Sequence, residues 1–159
     1  MRLAHNKVGR DIANSFMTHP AILPDISDDH TDMDNKSLGS TLLSFPMVWM
    51  LQPSEYVLLM LVPLTLVLYD VHTMIKPKGR GIQAVHDVRR AAKWFFEDHA
   101  NVCEKICTFV PEFNKPAKVF ARKVGMIEQG VMTKSFRKNG ILHDQTILGL
   151  DKETFLCQR

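Results

Sequence analysis

The sequence predicts a single α/β domain built around a mixed sheet, and three features of its 159 residues support this fold class. Between residues 41 and 71, short apolar runs rich in β-branched and aromatic residues alternate with prolines. This pattern indicates successive strands, because proline cannot donate to a strand ladder and collects at strand ends. From residue 82 the apolar spacing lengthens from two residues to about 3.6, as in an amphipathic helix. Near the end, Asn139-Gly140 is the commonest dipeptide of a tight hairpin.

Residues 1–63 are expected to contain one helix, an acidic loop and the first strands. The apolar residues from Val8 to Phe16 are spaced as on one helix face, and His19-Pro20 interrupts that pattern. Residues 25–40 are polar and contain five aspartates, which is typical of a loop. The strands predicted after this loop span residues 41–45, 48–51, 57–62 and 64–71.

Residues 64–150 are expected to add two clear helices, one strand between them and a closing hairpin. The predicted elements are a helix over 82–96, a strand over 106–110, a helix from Asn114 to Gly125, and strands over 126–136 and 141–150. Asn114 is a typical N-cap residue, and Gly125 stands where a C-cap glycine is expected. The whole chain, residues 1–159, is therefore predicted to form one domain.

Charge is distributed unevenly along the chain. The net charge of +3 is too small to indicate a nucleic-acid partner. Residues 1–70 carry 4 basic and 8 acidic side chains, whereas residues 71–159 carry 16 and 9. Any anionic ligand is therefore expected to meet the second half of the chain.

The remaining composition points away from a membrane, a metal and a disulfide framework. The one strongly apolar run, residues 56–69, has 14 residues and contains Pro63, whereas a membrane helix needs about 20. The three cysteines have no Cys-x-x-Cys spacing, and no histidine spacing is typical of metal ligands. We therefore expect a cytoplasmic protein with no membrane partner and no metal site.

A strand, a glycine-containing loop and a helix follow one another between residues 66 and 83, and basic residues flank the glycines. Gly79 and Gly81 would let backbone N–H groups approach a phosphate, and the helix N-terminus adds free N–H groups and a positive dipole end. The alternatives are a plain strand-to-helix turn and an unrelated nucleotide-phosphate binder. The loop matches neither the Walker A motif nor the Rossmann fingerprint.

Two motifs resemble those of GCN5-related N-acetyltransferases, the GNAT superfamily. Lys76-x-x-Gly79-x-Gly81 resembles the Arg/Gln-x-x-Gly-x-Gly/Ala signature that holds the pyrophosphate of acetyl-CoA. Further along, the family's second signature is matched in order by Asn114, Ala117, Phe120 and Gly125-Met126. More narrowly, Val71-His72-Thr73, Trp94 and Lys134-Ser135-Phe136 resemble GNAT-like proteins of tailed bacteriophages and prophages.

The resemblance implies a strongly twisted mixed sheet of about six to seven strands with helices on both faces. Its fourth and fifth strands, at about 64–73 and 105–110, would splay apart and hold the pantetheine arm of acetyl-CoA. Backbone amides over residues 78–83 would hold the pyrophosphate. The residues implied for cofactor binding are Val71, Thr73, Lys76, Lys78, Gly79, Arg80, Gly81, Ile82, Gln83 and Asn114.

The sequence departs from the family at the chemistry. Phe120 replaces the tyrosine that often protonates the leaving thiolate, and Thr65 and Val67 near a frequent base position are not useful bases. Asp70 and His72 are the candidate catalytic residues, because strand alternation places both on one face and an imidazole accepts protons near neutral pH. The structural alternative is that His72 caps a strand end or packs under the loop.

Two functions of different classes follow. The first is an acetyl-CoA-dependent N-acyltransferase in which an amine of a protein or small molecule attacks the thioester directly. The second is a catalytically silent protein of this fold that acts by binding, in virion structure or assembly or on a host protein. Asp28-Asp29-His30 either line an acceptor site for a cationic amine or form a solvated loop. Pairing of the hairpin with a second copy is left open.

Overall fold

A six-stranded mixed sheet forms the centre of the computed structural model, which describes residues 1–32, 34–98 and 102–157. The strands are β1 (Trp49–Ser54), β2 (Val57–Pro63), β3 (Leu68–Ile75), β4 (Lys105–Pro111), β5 (Ile127–Lys138) and β6 (Ile141–Asp151). Their order across the sheet is β1-β2-β3-β4-β6-β5, and only β3 and β4 pair in parallel. The predicted α/β class and mixed sheet are therefore confirmed.

Helices cover both faces of this sheet. They are α1 (Lys7–Met17), α2 (Leu23–Ile26), α3 (Leu38–Leu43), α4 (Ile82–Glu97), α5 (Lys115–Val124) and α6 (Lys152–Cys157). Leu59 and Leu61 of β2 pack in the core beneath α4, α5 and α6, whereas Leu58 and Met60 pack in the core beneath α1 and α3. Because both faces are covered, β2 is apolar at almost every position instead of alternating.

The predicted caps of the helix that begins after Asn114 and the predicted turn of the closing hairpin both follow from local chemistry. The Asn114 side chain caps α5 by accepting the Ala117 N–H at 3.2 Å, and Gly125 closes the helix in the left-handed conformation with φ of 111°. At the β5–β6 turn, Asn139 and Gly140 have φ of 52° and 75°. Positive φ at both positions is what a two-residue hairpin turn requires.

The strand predicted over residues 41–45 is wrong, because this segment belongs to α3. Gly39 lets α3 lie directly on α1: a Cβ at that position would lie 2.3 Å from the Ala13 carbonyl carbon. The Asn14 side chain also accepts the Ser40 N–H at 2.7 Å. A short apolar run does not distinguish a strand from a buried helix. Two strands instead of the predicted three therefore precede the diverging pair, and the strands predicted as fourth and fifth are β3 and β4.

The strand predicted over residues 64–71 begins later than expected. Residues 64–67 form the β2–β3 turn, in which Thr65 Oγ1 accepts the N–H groups of Val67 and Leu68. Thr65 and Val67 therefore lie outside β3, at the far end of that strand from its exit into α4. The first helix, α1, ends at Met17, before the predicted interruption at His19-Pro20, and the short helix α2 follows separately.

The predicted splay of two neighbouring strands is confirmed. β3 and β4 pair only where residues 68–70 meet residues 105–107. Beyond that point β3 continues to Ile75 beside β2, and β4 continues to Pro111 beside β6. The two strands thus diverge and open a wedge in the middle of the sheet. None of the helices in the described ranges has the length and apolar character needed to cross a bilayer.

Replacing Phe95 by alanine is expected to lower the free energy of unfolding by about 3–5 kcal/mol. Phe95 is completely buried, and its ring centre lies 5.2 Å from that of Trp49 and 5.1 Å from that of Tyr69. Phe120→Ala should cost clearly less, because the Phe120 ring is only half-buried. Urea denaturation measures both variants, and equal losses would show that Phe120 belongs to the same core.

Candidate functional site

A cavity of about 930 Å³ occupies the wedge between β3 and β4. On one side of the sheet it reaches α4 and α5, where Val88, Ala92 and Phe120 line it. On the other side it reaches the segment after α1, where Ile22 and Asp28 line it. The divergence of the strands thus connects the two faces of the sheet through one cavity.

The cavity brings together part of the predicted site. The predicted residues that line it are Asp70, Val71, His72, Thr73, Arg80, Gly81 and Asn114. The predicted residues outside its lining are Lys76, Lys78, Gly79, Ile82 and Gln83. Both candidate catalytic residues therefore face the cavity, whereas about half of the cofactor set lies around its rim or on other surfaces.

Asp70 and His72 form a side-chain pair on the cavity face of β3. His72 Nε2 lies 3.1 Å from Asp70 Oδ2, with the imidazole 45% exposed and the carboxylate 15% exposed. Of the two imidazole nitrogens, Nε2 is therefore the one that lies beside the Asp70 carboxylate. The neighbour Tyr69 points to the opposite face, where burial raises the pKa of its phenol.

Two buried thiols lie in or beside β4, and one of them, Cys107, is close to this pair. Cys107 of β4 stands in register with Asp70, and Cys103 lies two residues before β4 begins. Burial, with a smaller contribution from the charge of Asp70, raises the pKa of Cys107 to about 11. Burial also raises the pKa of Cys103 to about 11. Both groups are therefore protonated at neutral pH and are poor nucleophiles.

The predicted phosphate loop has an open helix N-terminus. Gly81 precedes α4 with φ of 132° and ψ of −162°, a conformation that is essentially restricted to glycine. Among the residues that the structure describes, no side chain caps α4, and a Cβ at position 81 would meet no atom within 4 Å. The first-turn N–H groups thus face open space beside the cavity. Gly79 has a packing role, because its Cβ would lie 2.3 Å from Tyr56 Cβ.

The basic side chains of this loop mainly contact the N-terminal segment. Lys76 Nζ donates to Ser15 Oγ at 3.2 Å and lies 4.2 Å from the centre of the Phe16 ring. Arg80 Nη2 donates to the Ala21 carbonyl oxygen at 3.1 Å. These contacts fix the loop against α1 and the segment that follows it, and Lys78 is exposed.

The acidic loop is neither a purely solvated segment nor simply a cavity wall. Asp28 lines the cavity, and the hydroxyl of Thr31 donates to its carboxylate at 2.8 Å. Asp29 turns the other way, and its carboxylate accepts the N–H groups of Asn139 and Gly140 at 2.6 and 2.7 Å. Neighbouring aspartates therefore have different roles, which the sequence alone does not separate.

Two aromatic residues at the cavity were missed as site residues. Phe113 and Phe136 both line it, with ring centres 6.0 Å apart. Phe136 follows a bulge in β5 where Lys134 has φ of 52° and donates its N–H to Asp144 at 2.8 Å. A bulge redirects the side chains that follow it. A non-glycine residue with positive φ leaves little signal in a sequence, so the position of Phe136 was not foreseeable.

Asp29→Ala is expected to destabilise the protein at neutral pH and to have a smaller effect in acid. The N–H groups of Gly140 and Asn139 lower the pKa of Asp29 below its ordinary value of 3.8. The stability that Asp29 contributes is therefore complete above that value and is lost as the pH falls through the lowered pKa. Urea denaturation of wild type and variant at neutral pH and at about pH 3 tests this.

A matched control for this experiment is Asp34→Ala on the same loop. In the described parts of the chain, Asp34 makes no hydrogen bond with the hairpin. If both variants lose stability equally, or if the Asp29→Ala loss is the same at both pH values, the Asp29 contact does not stabilise the fold.

Comparisons with known proteins bear on the fold. No protein-family model matches the sequence. No curated protein matches it either. Among solved structures, the Vibrio cholerae spermidine N-acetyltransferase in complex with CoA and spermine is 16% identical, with a TM-score of 0.74 over 98% of this chain and 97% of that one.

Two further structures show the same likeness. A chimera of the Vibrio cholerae enzyme and hSSAT is 16% identical, with a TM-score of 0.75 over 99% of this chain and 97% of that one. A point mutant of the Vibrio cholerae enzyme is 14% identical, with a TM-score of 0.72 over 99% and 97%. None of the three is described as a phage protein, so the narrower resemblance stays a prediction. At this identity the likeness concerns the fold, and the chain has the fold of the GCN5-related N-acetyltransferases.

Proposed function

We propose that this chain is an acetyl-CoA-dependent N-acetyltransferase that acts on an amine. The observation that carries the proposal is the Asp70–His72 pair, which faces the cavity where β3 and β4 diverge. The Vibrio cholerae spermidine N-acetyltransferase, whose structure contains CoA and spermine, has the same fold. This likeness supports a CoA thioester and an amine as the two substrates. Each part of the proposal has a physical basis in the residues of this chain.

The α4 N-terminus and the wedge fit the two ends of acetyl-CoA. The first-turn N–H groups of α4 are uncapped and open, so they are suited to a pyrophosphate. The apolar wall formed by Val88, Ala117 and Phe120 is suited to the pantetheine arm. When bound, acetyl-CoA supplies an acetyl group activated as a thioester, and transfer to nitrogen leaves the CoA thiol.

His72 is assigned as the base that prepares the amine. We assign the imidazole hydrogen to Nε2, which lies 3.1 Å from Asp70 Oδ2, so that the Nδ1 lone pair takes a proton from the substrate ammonium. The neutral amine then forms the new C–N bond as the C–S bond breaks. Asp70 acts as a positioning residue that fixes the imidazole tautomer and stabilises its charged form.

The protons balance with His72 as the relay. An ammonium loses two protons when it becomes an amide, and the departing sulphur needs one of them. Phe120, at the position of the usual tyrosine, has none to give. We assign protonation of the sulphur to the His72 imidazolium, while the other proton passes to solvent. The raised pKa values of Cys103 and Cys107, both about 11, favour direct attack over an acetyl-cysteine route.

The acceptor end of the cavity favours a cationic amine. Asp25 and Asp28 line it on the side of the acidic loop, and Asp70 lines it from β3. Thr31 lowers the pKa of Asp28 by donating its hydroxyl hydrogen, so this carboxylate is ionised at neutral pH. Anionic walls attract an ammonium group to the base that deprotonates it.

A catalytically silent binding protein is the second candidate, and Phe120 is the observation that favours it. A phenyl ring at this position removes one acid from the cavity without filling it. Under this alternative the protein binds acetyl-CoA or a macromolecular partner, in a virion or in a host, without turnover. Amine-dependent release of the CoA thiol that disappears in a His72 variant would exclude it.

Ile82→Pro is expected to weaken acetyl-CoA binding by about 10–100-fold without lowering the melting temperature. Ile82 is the first residue of α4 and is 69% exposed. Proline is favoured at this helix position and removes one N–H, and a hydrogen bond to a charged group contributes about 1.5–3 kcal/mol. Calorimetry measures the affinity. Ile82→Ala keeps the N–H and is the control; equal affinities of the two variants would exclude this N–H from the phosphate site.

His72→Gln is expected to lower kcat by about a hundredfold to ten-thousandfold, because it removes the base. Acetyl-CoA affinity should remain as in wild type, since His72 is not part of the α4 N-terminus that is assigned to the pyrophosphate. His86→Gln is the matched control, because His86 is an exposed histidine on α4 outside the cavity lining. Steady-state thiol release measures kcat, and an active His72→Gln enzyme would remove His72 from the mechanism.

A further inference from the structure

Within the described ranges, six hydrogen bonds join residues 24–29, at the start of the acidic loop, to residues 137–140 at the tip of the β5–β6 hairpin. Three involve Asp29: its N–H donates to the Arg137 carbonyl oxygen at 3.2 Å, and its carboxylate accepts the N–H groups of Asn139 and Gly140. The other three are donated by Lys138 Nζ, to the Pro24 carbonyl oxygen, to the Ser27 carbonyl oxygen at 2.8 Å and to Ser27 Oγ at 3.3 Å. We call this set of contacts the bridge.

The bridge crosses the acceptor end of the cavity. On the loop, Asp25 and Asp28 line the cavity, while their neighbours Pro24, Ser27 and Asp29 hold the hairpin. On the hairpin, Phe136 lines the cavity, while residues 137–140 hold the loop. Residues that face inward thus alternate with residues that tie the two segments together, so the bridge forms a roof over the cavity.

We infer that this roof makes the acceptor a small-molecule amine and excludes a lysine within a polypeptide, an inference that rests on the proposed function. A polypeptide acceptor needs a continuous groove for its backbone on both sides of the reacting side chain. The bridge closes the passage between loop and hairpin with contacts from both segments. A small amine needs no such groove, because it enters the cavity as a whole.

The bridge is built to stay closed at neutral pH. Backbone N–H donors lower the pKa of Asp29, so its carboxylate stays ionised and keeps accepting both hydrogen bonds. Lys138 places its ammonium on two carbonyl oxygens and one hydroxyl of the opposite segment. Charged partners strengthen such hydrogen bonds relative to neutral pairs.

The test compares two amines of different size with the bridge intact and broken. One is a four-carbon diamine, and the other is a glycine-flanked lysine peptide blocked at both ends. Wild type is expected to give a kcat/KM for the diamine about a hundredfold above that for the peptide. Asp29→Ala removes two of the six hydrogen bonds and Lys138→Met removes three. Each variant should narrow this ratio about tenfold by raising kcat/KM for the peptide. Asp34→Ala should leave the ratio unchanged.

The inference is overturned if wild type acetylates the peptide as efficiently as the diamine. It is also overturned if both bridge variants keep the wild-type ratio while the amides of Asn139 and Gly140 exchange hydrogen faster, since the bridge is then broken without consequence. Acetyl-CoA binding without acetylation of either amine would contradict the proposed function instead. In that case calorimetry with CoA-loaded protein tests whether the roof excludes a polypeptide. The diamine should bind and the peptide should not; equal binding of both, or binding of neither, would refute the inference.

Discussion

The divergence of β3 and β4 after three paired residues is the constraint on which the rest of the structure depends. A parallel pair that separates leaves a gap in the sheet, and covering helices on both faces turn that gap into a cavity. Asp70 is the last paired residue of β3 and His72 lies just beyond it, so both side chains line the cavity at the point where the strands separate. The cavity and the proposed catalytic pair therefore meet where β3 and β4 separate.

The two faces of the sheet contribute different chemistry to this cavity. The α4 side offers an uncapped helix N-terminus and an apolar wall, which suit a long anionic thioester. The other side offers carboxylates, two phenyl rings and a hydrogen-bonded roof, which suit a small cation. The uneven charge of the sequence agrees with this division, because the acidic excess lies in the first 70 residues and the basic excess follows. In the proposed reaction, the acetyl group passes between the two sides at the wedge, where His72 lies.

Local signals in the sequence were sufficient for α4, for α5 with its caps and for the hairpin turn, whereas the splay was predicted from the family resemblance. They failed at residues 41–45, where close contact of Gly39 with α1 selects a helix for a segment whose composition also suits a strand. The Asp70–His72 pair followed from strand alternation alone. The bridge did not, because Asp29 and Asn139 are 110 residues apart and their contact depends on the folded hairpin. Lys76 fits the signature by position, yet its ammonium contacts α1.

The central claim is transfer of an acetyl group from acetyl-CoA to an amine, and mass spectrometry of the reaction products tests it most directly. Purified protein with acetyl-CoA and the diamine is predicted to give a singly acetylated amine and free CoA thiol in equal amounts, only when all three components are present. A folded protein that binds acetyl-CoA but leaves the amine unmodified would contradict the claim and favour the binding function.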